Sequence, residues 1–128
     1  MESSRLVVDT NTFIDYLRAN DKKNTELYRI PSSKKIYISS VTIYELLMGA
    51  TNEQKRKDVQ LLTEDTIILP FDEEVSIRAS EIYHDLRVTN KMIEFRDIFI
   101  AATCLIHNLP IKTKNKEHFQ RIKGIKIE

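Results

Sequence analysis

Residues 5–17 read RLVVDTNTFIDYL: a β-branched apolar run, an aspartate, a Thr-Asn-Thr cluster, then apolar residues again. The run has the length and composition of a strand, and Phe13 and Leu17, four residues apart, share one face of a helix. The chain thus passes from strand to helix within a few residues, with Asp9 at the strand's carboxyl end. The unit recurs. RLVV (5–8), KIYIS (35–39), TIIL (66–69), PIKT (110–113) and IKI (125–127) read as strands, and helical spacing governs Val41 to Met48, Val75 to Leu86 and Ile98 to Ile106. Strands so far apart cannot close as hairpins. The alternation predicts an α/β fold, a mainly parallel five-stranded sheet flanked by helices on both faces. Ligands of such sheets gather at the carboxyl ends of the strands. Asp72, before EEVSIRASEIYHDL, reads as an N-cap followed by two acids that the helix dipole favours.

The chain of 128 residues is long enough for one buried core and too short for two, so a single domain over 1–128 is expected. Two glycines and three prolines leave little linker, and no repeat or low-complexity stretch interrupts the pattern. MESSRLVV lacks the apolar run of a signal peptide, and no later stretch approaches the ~20 apolar residues of a membrane span, so a cytoplasmic protein is expected. Cys104 cannot form an internal disulfide and reads as a small buried thiol. The net charge of +1 hides an asymmetry: residues 111–128 hold six Lys or Arg against two Glu, so the remainder is acidic. Such a segment suits phosphate contacts, although a solvated lysine-rich surface is the commoner reason for it.

Three acids share one kind of location. Asp9 ends the first strand; Thr10, Asn11 or Thr12 can cap the next helix, so Asp9 is not needed as the cap, although a strand-end acid can also be merely solvated. Glu45 follows the second strand. Thr42 to Glu45 matches a capping box, whereas a cap at Ser40 would put Glu45 in the second turn, beyond capping reach. Asp97 opens the very apolar helix of FRDIFIAATCLIHN, where the dipole favours an acid and Arg96 or Lys91 could pair with it. A carboxylate at the mouth of a buried helix is costly unless positive charge faces it, and a divalent metal would supply that charge.

With LVVDTN, ISSVTIYELLMGA and FRDIFIAATCLIHNLPIKTKNKEHFQRIKGIKIE in this order and spacing, the chain resembles the PIN-domain ribonucleases, and among them the VapC-type toxins of toxin–antitoxin pairs. The resemblance implies a sheet of order 3-2-1-4-5 and an acidic pocket of Asp9, Glu45 and Asp97 binding Mg²⁺ or Mn²⁺ at its carboxyl end. It implies a metal-dependent endoribonuclease that cleaves RNA, tRNA among the possible targets, and inhibits translation. Its partner would be a VapB-like antitoxin that places an arginine or lysine in the pocket, and the chain would be a homodimer. The family's fourth acidic position falls at Asn115, an amide, which leaves a second metal site open. Thr10, Asn11, Ser39 or Ser40, and Thr113 are expected to orient ligands or waters, and Arg96, Lys112 and Lys114 to meet the RNA backbone. Hard cations with several retained waters suit such oxygen donors. The YELLMGA helix and the NEQKRKDVQLL segment hold apolar residues suited to an antitoxin helix, a twin subunit or the core.

Other readings fit less well. His84, His107 and His118 lack metal-ligand spacing and are expected at the surface or at helix ends. No Gly-rich phosphate loop and no G-x-S-x-G elbow is present. The alternative from another class is a non-catalytic metal-binding α/β module, either a receiver-like regulator or a silent scaffold. A receiver would need adjacent acids after the first strand and an acid ending the third, where TIILPFDEE offers only Asp72 beyond a proline.

Overall fold

A computed structural model describes residues 4–128; Met1 to Ser3, part of the N-terminal stretch read above, lie outside the described residues. Strand β1 (Arg5–Val8) runs into α1 (Thr10–Arg18), a 3₁₀ turn (Lys22–Asn24) and α2 (Glu26–Arg29). Then come β2 (Lys35–Ser39), α3 (Ser40–Met48), α4 (Glu53–Thr63) and β3 (Ile67–Leu69). Two long helices follow, α5 (Glu73–Val88) and α6 (Phe95–His107), then β4 (Ile111–Lys112) and α7 (Lys116–Gln120). All pairings are parallel and the order is β3-β2-β1-β4, with Val7 opposite both Tyr37 and Ile111, and Tyr37 opposite Ile67.

The five-stranded expectation is corrected to four strands among the described residues. Ile127 makes only an isolated parallel bridge to Ile111, framed by Ile111 N–H to Lys126 O and Glu128 N–H to Ile111 O, both 2.9 Å. The cause is the shortness of β4. Pro110 lacks an N–H to extend it backwards, Thr113 turns its side chain into a polar cluster, and Gly124, at φ 86°, swings the chain in just before the bridge.

Period two along β1 divides the core. Leu6 and Val8 face a cluster with Phe13, Ile38, Leu46 and Val59 from α1, β2, α3 and α4. Val7 faces the opposite cluster, where Val75, Ala79, Ile82 and Leu86 of α5 pack on Ile98, Ala101 and Ala102 of α6. Both faces of the sheet are therefore covered, as a parallel sheet requires. Asp72 caps α5 by accepting from the Val75 amide at 3.0 Å, as its sequence position suggests. Helices α2, α4 and α7 escape a reading by periodicity because they are short or bury only one residue each: Leu27, Val59 and Phe119.

The YELLMGA and NEQKRKDVQLL residues divide between the readings offered for them. Leu46 and Val59 are core; Tyr44, Met48 and Leu61 are exposed. No helix among the described residues is long and apolar enough to cross a membrane.

Phe119, fully buried, fastens α7 to the α5–α6 cluster. Phe119→Ala is expected to cost about 3–5 kcal/mol in urea unfolding, whereas Val88→Ala on the exposed end of α5 should stay within about 0.5 kcal/mol.

Candidate active site

The strand order reverses direction between β1 and β4: the chain steps from β1 outward through β2 and β3, then returns to β1's other side. The crevice at this switch point is the preferred ligand site of open parallel sheets. Asp9 stands there, held by its own amide donating to Lys112 O of β4 at 3.2 Å.

Asp9 is the N-cap of α1, contrary to the expectation that a neighbouring Thr or Asn relieves it of that role. Its Oδ1 accepts from the Thr12 amide at 3.0 Å and the Thr12 hydroxyl at 2.7 Å. Thr12 could not cap because it already lies within the helix. The Thr113 hydroxyl donates to Oδ2. Three of about four lone-pair positions are thus occupied, and one on Oδ2 stays open. Asp9 is only 3% exposed, and the donors recorded on it are neutral; its charge rests on these bonds and on the positive end of α1.

Asp97, 2% exposed, lies in the first turn of α6, whose own cap residue Glu94 makes no side-chain capping bond. Asp97 Oδ2 accepts from the Asn115 amide nitrogen at 3.1 Å, and His118 Nδ1 lies 3.2 Å away. The same Asn115 nitrogen is 2.6 Å from His118 Nδ1. One NH₂ group can donate to both only if His118 Nδ1 is an acceptor and carries its proton on Nε2. Asp97 Oδ1 faces Arg96 Nε at 3.5 Å and accepts no hydrogen bond from the described residues.

Glu45 reaches the same place from α3. The N-cap there is Ser39, whose hydroxyl accepts from the Val41 amide at 3.1 Å, so Glu45 falls in the second turn and neither a capping box at Thr42 nor a cap at Ser40 applies. Ser40 Oγ instead accepts from the Phe71 amide beyond β3 at 2.9 Å. Glu45 Oε1 accepts from the Thr10 hydroxyl at 3.0 Å, Thr10 also meets Thr42, and Glu45 Oε2 lies 3.4 Å from Arg96 Nη1.

The three acids are thereby joined in one chain of contacts: Asp9 to Thr113, Thr113 Oγ1 to the Asn115 amide at 2.9 Å, Asn115 to Asp97, Asp97 to Arg96, and Arg96 to Glu45. Among the described residues, however, no three Asp, Glu, His or Cys side chains stand close enough to form a ready metal cluster. Arg96 lies between two of them. Burial alone would lower its pKa, but the charges of Glu45 and Asp97 outweigh this and raise it, so the guanidinium stays charged.

Of the other expected residues, Thr10 and Thr113 bond the acids directly, while Ser39 and Ser40 bind backbone amides and Asn11 takes no part in the network. Lys112 pairs with Glu26 at 3.3 Å and Lys114 with Asp15 at 2.7 Å. His118, expected at the surface or at a helix end, lies in the last turn of α7, and there its ring stands against Asp97; its spacing from Asn115, one turn of a five-residue helix, is the sequence signal for that contact. Burial pushes the Cys104 thiol up, in keeping with an inert core cysteine.

The PIN domain family profile matches residues 6–125. The chain belongs to the PIN-domain family. Ribonuclease VapC1 of Methanocaldococcus jannaschii is 34% identical, over 98% of this chain and 88% of its own. The tRNA(fMet)-specific endonuclease VapC of Salmonella typhimurium is 27% identical, over 97% of this chain and 96% of its own. The DNA-bound VapBC structure from Salmonella typhimurium superposes with a TM-score of 0.84 at 26% identity, covering 100% of this chain and 98% of that one. The alignment with VapC relatives along nearly the whole PIN domain agrees with the resemblance carried by the three acidic motifs.

Asn can cap as well as Asp, whereas Ala cannot. Asp9→Ala is therefore expected to unfold at lower urea than Asp9→Asn, by about 1 kcal/mol, with both variants lacking the charge.

Proposed function

We propose that the chain is a Mg²⁺- or Mn²⁺-dependent endoribonuclease, the toxin of a toxin–antitoxin pair, acting in the cytoplasm as one domain over 1–128. The observation that carries this reading is the pair of almost wholly buried carboxylates, Asp9 and Asp97, at the switch point, with Glu45 beside them. The donor set fits a hard divalent cation. It consists of oxygens, Asp9 Oδ2 keeps an open lone pair, and Asp97 Oδ1 accepts no hydrogen bond from the described residues.

Asp9 and Asp97 would hold the cation together with retained waters, and Glu45, linked to Asp97 through Arg96, adds negative charge nearby. When bound, the cation supplies charge neutralisation for a phosphodiester and acidification of a water. Thr113 and Thr12 fix the Asp9 carboxylate, and Asn115 fixes Asp97 as a hydrogen-bond donor rather than as a fourth acid. Thr10 fixes Glu45. Lys112 and Lys114 are held by surface ion pairs of low cost to break, which leaves them available to an RNA backbone.

The names of the relatives support RNA as the substrate and tRNA as the first target to test. Solved neighbours that are VapBC complexes support a VapB-like antitoxin as partner. A groove of about 210 Å³ between α1, α3 and α4, lined by Leu17, Leu46, Ala50 and Val59, has Glu45 in its wall and suits a segment of such an antitoxin. Exposed Tyr44, Met48 and Leu61 suit a homodimer or the same antitoxin.

The purified chain is expected to cleave tRNA with Mg²⁺ or Mn²⁺ and to lose cleavage in EDTA. Asp97→Asn should abolish cleavage with an unchanged circular dichroism spectrum; activity persisting in that variant or in EDTA would overturn the reading. Asn115→Ala should reduce the rate far less than Asp9→Ala, measured on the same RNA.

A further inference from the structure

Arg96 makes three ionic contacts with three different acids: Nη1 to Glu45 Oε2 at 3.4 Å, Nε to Asp97 Oδ1 at 3.5 Å, and Nη2 to Glu94 Oε2 at 3.4 Å. A guanidinium held for strength forms paired bonds to one carboxylate at about 2.7–2.9 Å. Here each nitrogen meets a different acid at long range, and buried Nε has no hydrogen-bond partner among the described residues. The side chain, 22% exposed, balances charge without being locked in place.

We infer that Arg96 is a built-in stand-in for the metal: it neutralises Glu45 and Asp97 while no divalent cation is bound, and must withdraw from them when one binds. The inference rests on the metal-dependent reading above. Among the described residues Arg96 is the permanently charged side chain in contact with both Glu45 and Asp97, whereas His118 meets Asp97 alone of the two. Lys112 and Lys114 are engaged with Glu26 and Asp15, and the donors found on Asp9 are neutral. Being next to Asp97 on α6, Arg96 cannot diffuse away. Its third partner, Glu94, is exposed and gives the guanidinium an anchor on the outer side. The device costs metal affinity, since a fixed positive charge competes with a second one for the same oxygens. In exchange, the acids are not left facing one another without a cation.

The test is calorimetric titration of the metal-free protein with MnCl₂, together with thermal unfolding in EDTA, for wild type, R96Q and R96K. R96M, which keeps the aliphatic stem, provides a second neutral variant should R96Q fold poorly. The neutral variants are expected to bind Mn²⁺ roughly tenfold or more tightly than wild type and to unfold at lower temperature in EDTA, with a larger rise on adding Mn²⁺. R96K should bind within about threefold of wild type, since it keeps the charge. Wild type binding Mn²⁺ with R96Q and R96M no tighter would overturn this inference alone. No Mn²⁺ binding by wild type or by any variant would overturn the metal site and this inference with it.

Discussion

The costliest feature of this molecule is the burial of two carboxylates at the switch point of its sheet. An ionised carboxylate withdrawn from water needs several compensating contacts, and the parts of the fold that provide them are far apart in sequence. Thr12 is three residues from Asp9, but Thr113 is 104 residues away and reaches it only because β4 pairs beside β1. Asn115 reaches Asp97 because α7 is fastened by Phe119 to the same core that buries α6. The parallel pairing of β1 with β4 and the anchoring of α7 are thus conditions for the acids to exist as charges in this place.

Thr113 is the hinge of that arrangement. Its hydroxyl donates to Asp9 and accepts from the Asn115 amide, so one side chain aligns the carboxylate on β1 and starts the turn that presents Asn115 to Asp97. This explains why β4 stops at Lys112. One further step of the parallel register sets Thr113 beside Asp9, and there its hydroxyl is taken up by Asp9 and by the Asn115 backbone amide, which starts the turn. The truncated β4, the single bridge at Ile127 and the polar cluster are consequences of the same choice.

What the sequence reveals follows from which interactions are local. β1, β2 and β3 are legible because parallel strands covered by helices are dense in β-branched residues, and the long α5 and α6 repeat their apolar positions often enough to be read. A fifth strand at 125–127 is not, since IKI has the right composition and only tertiary context limits it to one bridge. Asp9, Glu45 and Asp97 stand out as acids following strands or opening an apolar helix, and their contacts run through one network. The capping role of Asp9 was missed because the Thr-Asn-Thr cluster behind it offers rival caps of equal propensity. His118 was missed because its meaning depends on Asp97, 21 residues away, and on an amide between them. The basic segment 111–128 also means something different in three dimensions. Lys112 and Lys114 answer acids of α1 and α2, so part of the asymmetry balances charge inside the fold.

Elsewhere the local rules agree with one another: Asn52, Asp72 and Thr25 cap their helices, the core alternates with the strand period, and Asn108 in the left-handed region closes α6. At the acidic site they conflict. The cap position of α6 is occupied by a Glu that makes no capping bond, a guanidinium nitrogen is buried unpaired, and an amide is shared between an acid and an imidazole. Replacing the acids together with Arg96 by well-packed apolar residues would remove the nitrogen that lacks a hydrogen bond, and exchanges of whole buried charged groups of this kind are often neutral or stabilising. Among the described residues Glu128 Oε2, outside the chain of contacts from Asp9 to Glu45, is also buried without a hydrogen-bond partner, but the acidic site is where several such conflicts meet. That concentration fits a pocket shaped by the need to receive a cation more than by the need to stay folded.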